Sequence, residues 1–255
     1  MSRIALVRRP SRRLADGLLT HMERVPVDYQ LAVRQWHGYV DAMRAEGWRI
    51  VEVPRADEHP DSVFIEDTMV ASSELVIMAL PGAPSRRGEV APAEAVVRSL
   101  GHAIGRIVAP GTLDGGDILK VGTTWYLGLS LRTNAEAARQ LAELLRPSGV
   151  RIVKVPLTKV LHLKSAVTAL PDGTIVGYEP LVDDVSLFAP FLAVPEESGS
   201  HVVILGEHRL LIAADCPETA AVLRSRGYEL VQVDISEFQK LEGCVTCLSV
   251  RLRGE

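Results

Sequence analysis

Arg151-Ile-Val-Lys-Val-Pro156 is a short run of apolar and β-branched residues closed by a proline, and the chain repeats it. Copies stand at Arg49-Ile-Val-Glu-Val-Pro54, Arg106-Ile-Val-Ala-Pro110 and Tyr228-Glu-Leu-Val-Gln-Val233, with a weaker one at Phe191-Leu-Ala-Val-Pro195. Each reads as a short buried strand. Four of the five follow a segment whose apolar residues recur at helical spacing and which ends in a glycine-containing turn. These segments are Tyr29 to Ala45 before Gly47, Ala93 to Ile104 before Gly105, Asn134 to Leu145 before Pro147 and Gly149, and Pro217 to Arg226 before Gly227. Asn134 suits an N-cap and Pro217 a first turn. Ahead of the middle helices lie strand pairs at Thr68 to Leu80, Ile118 to Leu129, Ser165 to Gly177 and Val202 to Ala213. Their turns fall at Gly122-Thr123, Pro171-Asp-Gly173 and Gly206-Glu207.

A strand-strand-helix-strand unit recurring at roughly 40 to 55 residues points to radial repetition around an axis. The strand Arg3 to Val7 has no hairpin of its own and Leu248 to Leu252 has no helix after it, so the two are expected to complete one unit. The expectation is one closed α/β domain over residues 1–255. A doubly wound parallel sheet is the competing architecture, and the many hairpins disfavour it.

At 47% apolar content the 255 residues suffice for a sizeable core. A formal net charge of −4 lacks the basic excess by which nucleic-acid and anionic-membrane binders neutralise phosphates, so a small-molecule partner is expected. No apolar run approaches the roughly 20 residues of a membrane span. The opening Met1-Ser-Arg-Ile-Ala-Leu-Val-Arg-Arg9 alternates like a strand, unlike a secretion signal. Three cysteines without a secretory context fit a reducing cytoplasm and no disulfide framework. Nothing in the composition sets the oligomeric state, and a homodimer is compatible with it.

Polar clusters open the units: Asp61-Ser-Val-Phe64-Ile-Glu66-Asp67, Leu113-Asp114-Gly-Gly-Asp117, His162-Leu-Lys164-Ser165 and Gly243-Cys244-Val-Thr-Cys247. Radial repeats bring corresponding positions to one axis, so carboxylates, an imidazole and a thiol should meet in a central pocket. At least three carboxylates against one or two imidazoles favour a cationic ligand such as a guanidinium or amidinium. Cysteine catalysis needs a histidine and an acid from elsewhere in the fold, and these clusters supply both.

Plainer readings exist for every residue. Cys247 can be a buried small apolar residue, His162 a hydrogen-bonded core histidine, and Asp114 to Asp117 a tight turn. Glu66-Asp67 can cap a turn, and Arg86, Arg87 and Arg132 can be solvated charges. Cys244 and Cys247 form a C-x-x-C, the pattern of redox centres and half zinc sites, but the chain has no second pair. Cys216 before Pro217 reads as a packing residue at a helix start.

Together, Phe64-Ile-Glu-Asp67, Pro81-Gly-Ala-Pro-Ser-Arg-Arg-Gly88, Leu113-Asp-Gly-Gly-Asp117, Leu131-Arg-Thr-Asn134, Leu161-His-Leu-Lys-Ser165 and Gly243-Cys-Val-Thr-Cys-Leu-Ser249 resemble the signature blocks of dimethylarginine dimethylaminohydrolases. These belong to the pentein superfamily, and the resemblance runs in order over essentially the whole chain. It implies a five-bladed α/β propeller of ββαβ units around a central pocket. The implied reaction converts Nω-methylated L-arginine to L-citrulline and a methylamine, with no metal or organic cofactor. Cys247 would be the nucleophile, His162 the general acid and base, and Asp114 the residue that holds the guanidinium and positions the histidine. Asp67 and Glu66 would bind guanidinium nitrogens or order the pocket. Asp61, Arg86 and Arg132 would fix the amino-acid end, the carbonyls of Leu18 and Leu241 would receive the α-amino group, and Phe64 would pack on the methyl groups. Leu14 to Thr20 would form a lid. Some bacterial relatives carry Glu where this chain has Asp114, and some carry a second cysteine where it has Leu248. Deimination of unmethylated arginine or of agmatine is the nearest alternative, and a non-catalytic C-x-x-C redox or binding protein the more distant one.

Overall fold

The computed structural model describes residues 3–73 and 75–253. Among them, fifteen strands fall into five separate sheets of three, and every sheet has the same plan. Its first strand runs antiparallel to the second, and the second parallel to the third. One unit joins β1 (Arg3–Arg8) and β2 (Arg49–Val53); the next joins β3 (Met69–Ala71), β4 (Leu75–Met78) and β5 (Ala103–Arg106). Then come β6 (Ile118–Val121), β7 (Thr124–Leu129) and β8 (Arg151–Pro156), followed by β9 (Val167–Ala169), β10 (Ile175–Gly177) and β11 (Phe191–Ala193). The last full unit is β12 (Val203–Gly206), β13 (Arg209–Ala213) and β14 (Glu229–Val233). The strand β15 (Val250–Arg253) then returns to β1, pairing Arg3 with Arg253 and Leu6 with Val250. It fills the first-strand position that the opening unit lacks, as expected. Five such sheets make the five-bladed α/β propeller, and the doubly wound alternative is excluded.

Helices fill four of the five crossovers between parallel strands. In α1 (Tyr29–Ala45) the buried positions Ala32, Trp36, Tyr39, Val40 and Met43 form one stripe, and the Asp28 side chain accepts the Leu31 amide at 3.0 Å as N-cap. In α3 (Ala135–Leu144) Asn134 caps the Ala137 amide, and Ala137, Ala138 and Leu141 face inward. The helix α4 (Pro217–Ser225) begins on its proline.

Three boundaries differ from expectation for local reasons. The helix placed over Ala93 to Ile104 is α2 (Val90–Ser99), because Gly101, at φ +83°, ends it before Gly105 is reached. The strand read at Arg106 to Pro110 ends at Arg106, and beyond it the Val108 amide leaves the sheet for the Gln140 side chain at 2.9 Å. In the last full unit Gly206 pairs with Arg209, so Glu207 and His208 make the turn. The β10 to β11 crossover, residues 178–190, holds only short 3-10 turns, and Pro180 and Pro190 disfavour a helix there.

Each first strand is entered through a tight turn near the propeller axis, and these turns touch in sequence. Gly115 lets two of them meet: a Cβ there would lie 2.0 Å from the Glu66 carbonyl oxygen. Gly38, in α1, faces open space. Gly115→Ala is therefore expected to lower stability by roughly 1–3 kcal/mol or more, as overpacking does, and Gly38→Ala to raise it by about 0.5–1 kcal/mol through helix propensity. Thermal melts of the two variants check this pair of opposite signs.

Candidate active site

Four expected clusters meet at the axis, and a fifth joins them. The Glu66 amide donates to the Cys247 carbonyl at 3.2 Å. The Gly116 amide donates to Asp67 Oδ1 at 2.9 Å, and the Leu163 amide to Asp117 Oδ1 at 3.0 Å. His201 Nε2 then bonds the Ser165 carbonyl at 2.9 Å. Each bond links the entry turn of one blade to that of the next. His201 and Asp117 had no assigned role from sequence. Their signal was position alone, immediately before a first strand or closing the Asp-Gly-Gly-Asp turn.

On one side of this ring lies a cavity of about 20 Å³ lined by Leu18, Asp61, Phe64, Asp67, Arg86, Arg132, Leu161, His162, Leu241, Glu242 and Cys247. His162 Nε2 sits 3.1 Å from Asp114 Oδ2, and its Nδ1 lies 3.8 Å from Asp67 Oδ1. Burial alone would lower the pKa of the imidazole, but Asp67, the Asp114 hydrogen bond and Asp117 outweigh it and hold His162 at about 9. Conversely, burial would raise the Asp67 carboxyl, and His162 and Arg86 instead pull it down to about 2. Asp117, whose burial dominates, is pushed up to about 6. Ligand atoms of Asp67, Asp114 and His162 approach within 4.8 Å of one another. The two carboxylates in this group suit a cationic guanidinium, and the imidazole beside them can hold or pass a proton.

The arginines are more committed than expected. Arg86 is buried; its Nη1 lies 2.6 Å from Asp67 Oδ2, its Nε and Nη2 grip the Glu89 carboxylate at 3.0 and 2.9 Å, and Nη2 also reaches the Phe64 carbonyl. It thus neutralises Glu89 and Asp67 as well as facing the cavity. Arg132 Nη1 makes a single 3.3 Å bond to Asp114 Oδ2, and Gly82 donates to Asp114 Oδ1 at 3.0 Å. Glu66 points away from the cavity, to Lys164 Nζ at 2.5 Å and Arg251 Nη2 at 3.3 Å. Of its two expected roles the geometry fits the ordering of the pocket.

Leu14 to Thr20 crosses the cavity mouth, held by carboxylates. Asp61 accepts the Leu18 amide at 3.0 Å, and Glu242 accepts those of Thr20 at 2.9 Å and His21 at 2.5 Å. Glu242, at φ +58°, is among the described residues the one non-glycine with positive φ. Sequence gave no hint of its role, because a backbone angle leaves no mark on residue type.

A second cavity, of about 550 Å³, lies behind the ring. Its charged lining is Lys120, Lys164, Arg251 and Arg253 against Glu66, a sign that repels a guanidinium. Larger as it is, it is not the site for a cationic substrate.

The thiols occupy a buried turn in which Cys247 N bonds the Cys244 carbonyl at 3.1 Å. Their sulfurs are 3.3 Å apart, and Cys244 Sγ also lies 3.2 Å from Thr246 Oγ1. The hydrogen bond from Cys247, helped by His201 and Thr246, holds the Cys244 thiol well below its ordinary pKa. That same bond pushes Cys247 well above its own, as do burial and the charges of Glu66 and Asp67.

No protein-family model matches the chain. A dimethylarginine dimethylaminohydrolase of Streptomyces coelicolor is 58% identical over 252 residues, 99% of this chain and 98% of that protein. One of Pseudomonas aeruginosa is 37% identical over 250 residues, 96% and 98% of the two chains. The solved structure of a cysteine-to-serine mutant of the Pseudomonas aeruginosa enzyme, complexed with citrulline, superimposes with a TM-score of 0.90 at 34% identity, covering 99% of this chain and all of that one.

Because His162 is held at about 9 against an ordinary 6.5, its contribution to stability is fully present below pH 6.5 and is lost as pH rises through 9. Melting temperatures measured across that window should fall with a steeper slope for the native protein than for His162→Gln, which removes the titrating group.

Proposed function

Since the chain belongs to the dimethylarginine dimethylaminohydrolase family, we propose that it hydrolyses asymmetric dimethylarginine and monomethylarginine to L-citrulline with release of dimethylamine or methylamine. The observation that carries this is one cavity lined by a thiol, a carboxylate-held imidazole and acidic groups suited to a guanidinium. Guanidinium is resonance-stabilised and a weak electrophile, so it must be held planar while a soft nucleophile meets its central carbon.

In this reading Cys247 Sγ attacks that carbon. His162, protonated at neutral pH, gives its proton to the departing methylamine, leaving a cationic thiouronium on the sulfur. The imidazole then takes a proton from water, hydroxide attacks the same carbon, and the C–S bond breaks with its electrons left on sulfur while the new hydroxyl gives its proton to solvent, releasing citrulline. Asp114 orients His162 and, with Asp67, faces the substrate guanidinium. Arg132, held by one long bond, exchanges Asp114 for the substrate carboxylate; Arg86 keeps Asp67 ionised and in place. Asp61 and Glu242 hold the strap that carries Leu18, and the Leu18 and Leu241 carbonyls meet the α-amino group. Phe64, braced edge-on by Phe238 at 6.3 Å, offers the methyl groups an apolar face. A cavity of about 20 Å³ admits a water, not an amino acid, so the strap and Arg132 must move for substrate to enter.

Residues 1–255 act as one pentein catalytic domain on this reading. Among the described residues no helix is long and apolar enough to cross a membrane. On this reading the protein is a cytoplasmic enzyme acting on a free amino acid, with neither nucleic acid nor membrane as partner.

Turnover of asymmetric dimethylarginine, arginine and agmatine is the test, for the native chain and Cys247→Ser. Citrulline and dimethylamine should form in preference to ammonia from arginine, and the variant should be inactive. Dominant ammonia release would move the assignment to deimination of unmethylated arginine. A further expectation concerns the strap: Glu242→Ala should raise KM for dimethylarginine more than it lowers kcat, measured by steady-state citrulline formation.

A further inference from the structure

The reaction needs a thiolate at Cys247, yet the buried surroundings of this sulfur oppose one. Glu66 and Asp67 bear on it, and the cavity adds Asp61 and Glu242, with Arg86, Arg132 and His162 as the cations. The neighbouring sulfur is better placed. Cys244 lies behind Cys247, away from the cavity, where Thr246 Oγ1 is 3.2 Å off and His201 and Tyr39 are the titratable neighbours. Tyr39 is itself occupied with Ser249 Oγ at 2.8 Å. Two sulfurs at 3.3 Å in one tight turn are within reach of a single shared proton. Two negative charges at that separation repel strongly, so the pair does not lose both protons, and Cys244 Sγ, with the Thr246 hydroxyl and the Cys247 thiol both in reach as donors, is the sulfur better placed to lose one.

We propose that Cys244 is a positioning residue that receives the proton of the Cys247 thiol when the substrate guanidinium enters, so that the reactive thiolate forms only over a bound cation. The proposal rests on the hydrolase reading above. Before binding, Cys244 carries the charge and Cys247 the hydrogen. A guanidinium between Asp67, Asp114 and Cys247 cancels the carboxylate field and reverses the preference. The proton crosses from Cys247 Sγ to Cys244 Sγ, and no bond other than the two S–H bonds changes. Attack, amine loss and hydrolysis follow as described, and expulsion of citrulline returns Cys247 as the thiolate. When product leaves, the proton crosses back. A free enzyme whose nucleophile is protonated also resists stray electrophiles and oxidants in the cavity.

The test is the ultraviolet thiolate absorbance of the substrate-free protein together with the pH profile of kcat/KM, for the native chain, Cys244→Ser and Cys247→Ser. Serine keeps the volume and can donate a hydrogen bond but cannot hold the charge. Cys216 stays silent, because burial pushes its thiol up to about 12. The native protein and Cys247→Ser should each show one thiolate at neutral pH, and Cys244→Ser none. Cys244→Ser should lose roughly tenfold or more in kcat/KM at neutral pH and recover as pH rises, since each pKa unit is a factor of about ten. Loss of the thiolate in Cys247→Ser, or a native pH profile in Cys244→Ser, overturns the proposal. The absorbance needs no turnover, so absence of citrulline from the native protein sinks the hydrolase reading while the location of the charge is still read.

Discussion

Everything at the centre of this molecule depends on the hydrogen bonds that pass from the entry turn of one blade to that of the next. Glu66 to Cys247, Gly116 to Asp67, Leu163 to Asp117 and His201 to Ser165 are each a backbone group paired with a neighbour's backbone or side chain. Turns buried at an axis would otherwise leave amides and carbonyls without partners, at a cost of about 1–3 kcal/mol each. The same side chains that satisfy them are ionisable. Asp67 is at once the acceptor for a backbone amide, the partner of Arg86 and a neighbour of the imidazole. Structural closure and the electrostatics of the cavity are therefore one network.

That double duty explains how the charges are distributed. A buried carboxylate is costly unless it is hydrogen-bonded or paired, and Asp67 is both, which keeps it ionised beside a protonated His162. Asp117, close to the same imidazole, accepts from the Leu163 amide and the Ser130 and Thr133 hydroxyls and, with burial dominating, is pushed up to about 6. Two aspartates from the same region thus titrate far apart because one has a guanidinium and the other does not. A ligand entering this pocket meets acids already held in place, and Arg132 reaches Asp114 through a single 3.3 Å bond.

Much of this was legible in the residues. The repeated strand phrase carries the five-fold plan, because a buried strand of fixed length ending in proline has few other uses. Helix α1 coincides with its apolar stripe residue for residue. The thiol, the imidazole and three carboxylates were legible as clusters because each precedes a first strand. What was not legible has a common cause: it lies in geometry that residue type does not encode. Glu242 serves through a left-handed backbone angle, Arg86 through a carboxylate three residues on, and His201 through a blade whose entry turn carries no distinctive motif. The end of α2 was misplaced because two glycines compete for it and only one adopts the positive φ.

Pairing Arg3 with Arg253 ties together residues from opposite ends of the described chain, and the turn that carries both thiols leads directly into that strand. Contacts of such long sequence separation form slowly, since the loop they close costs the most chain entropy. Ring closure and the placing of Cys247 beside the acids and the imidazole then depend on the docking of the same strand. Until β15 docks, the acids and the imidazole can gather with no thiol beside them, so the cavity is complete only when the two ends of the described chain meet.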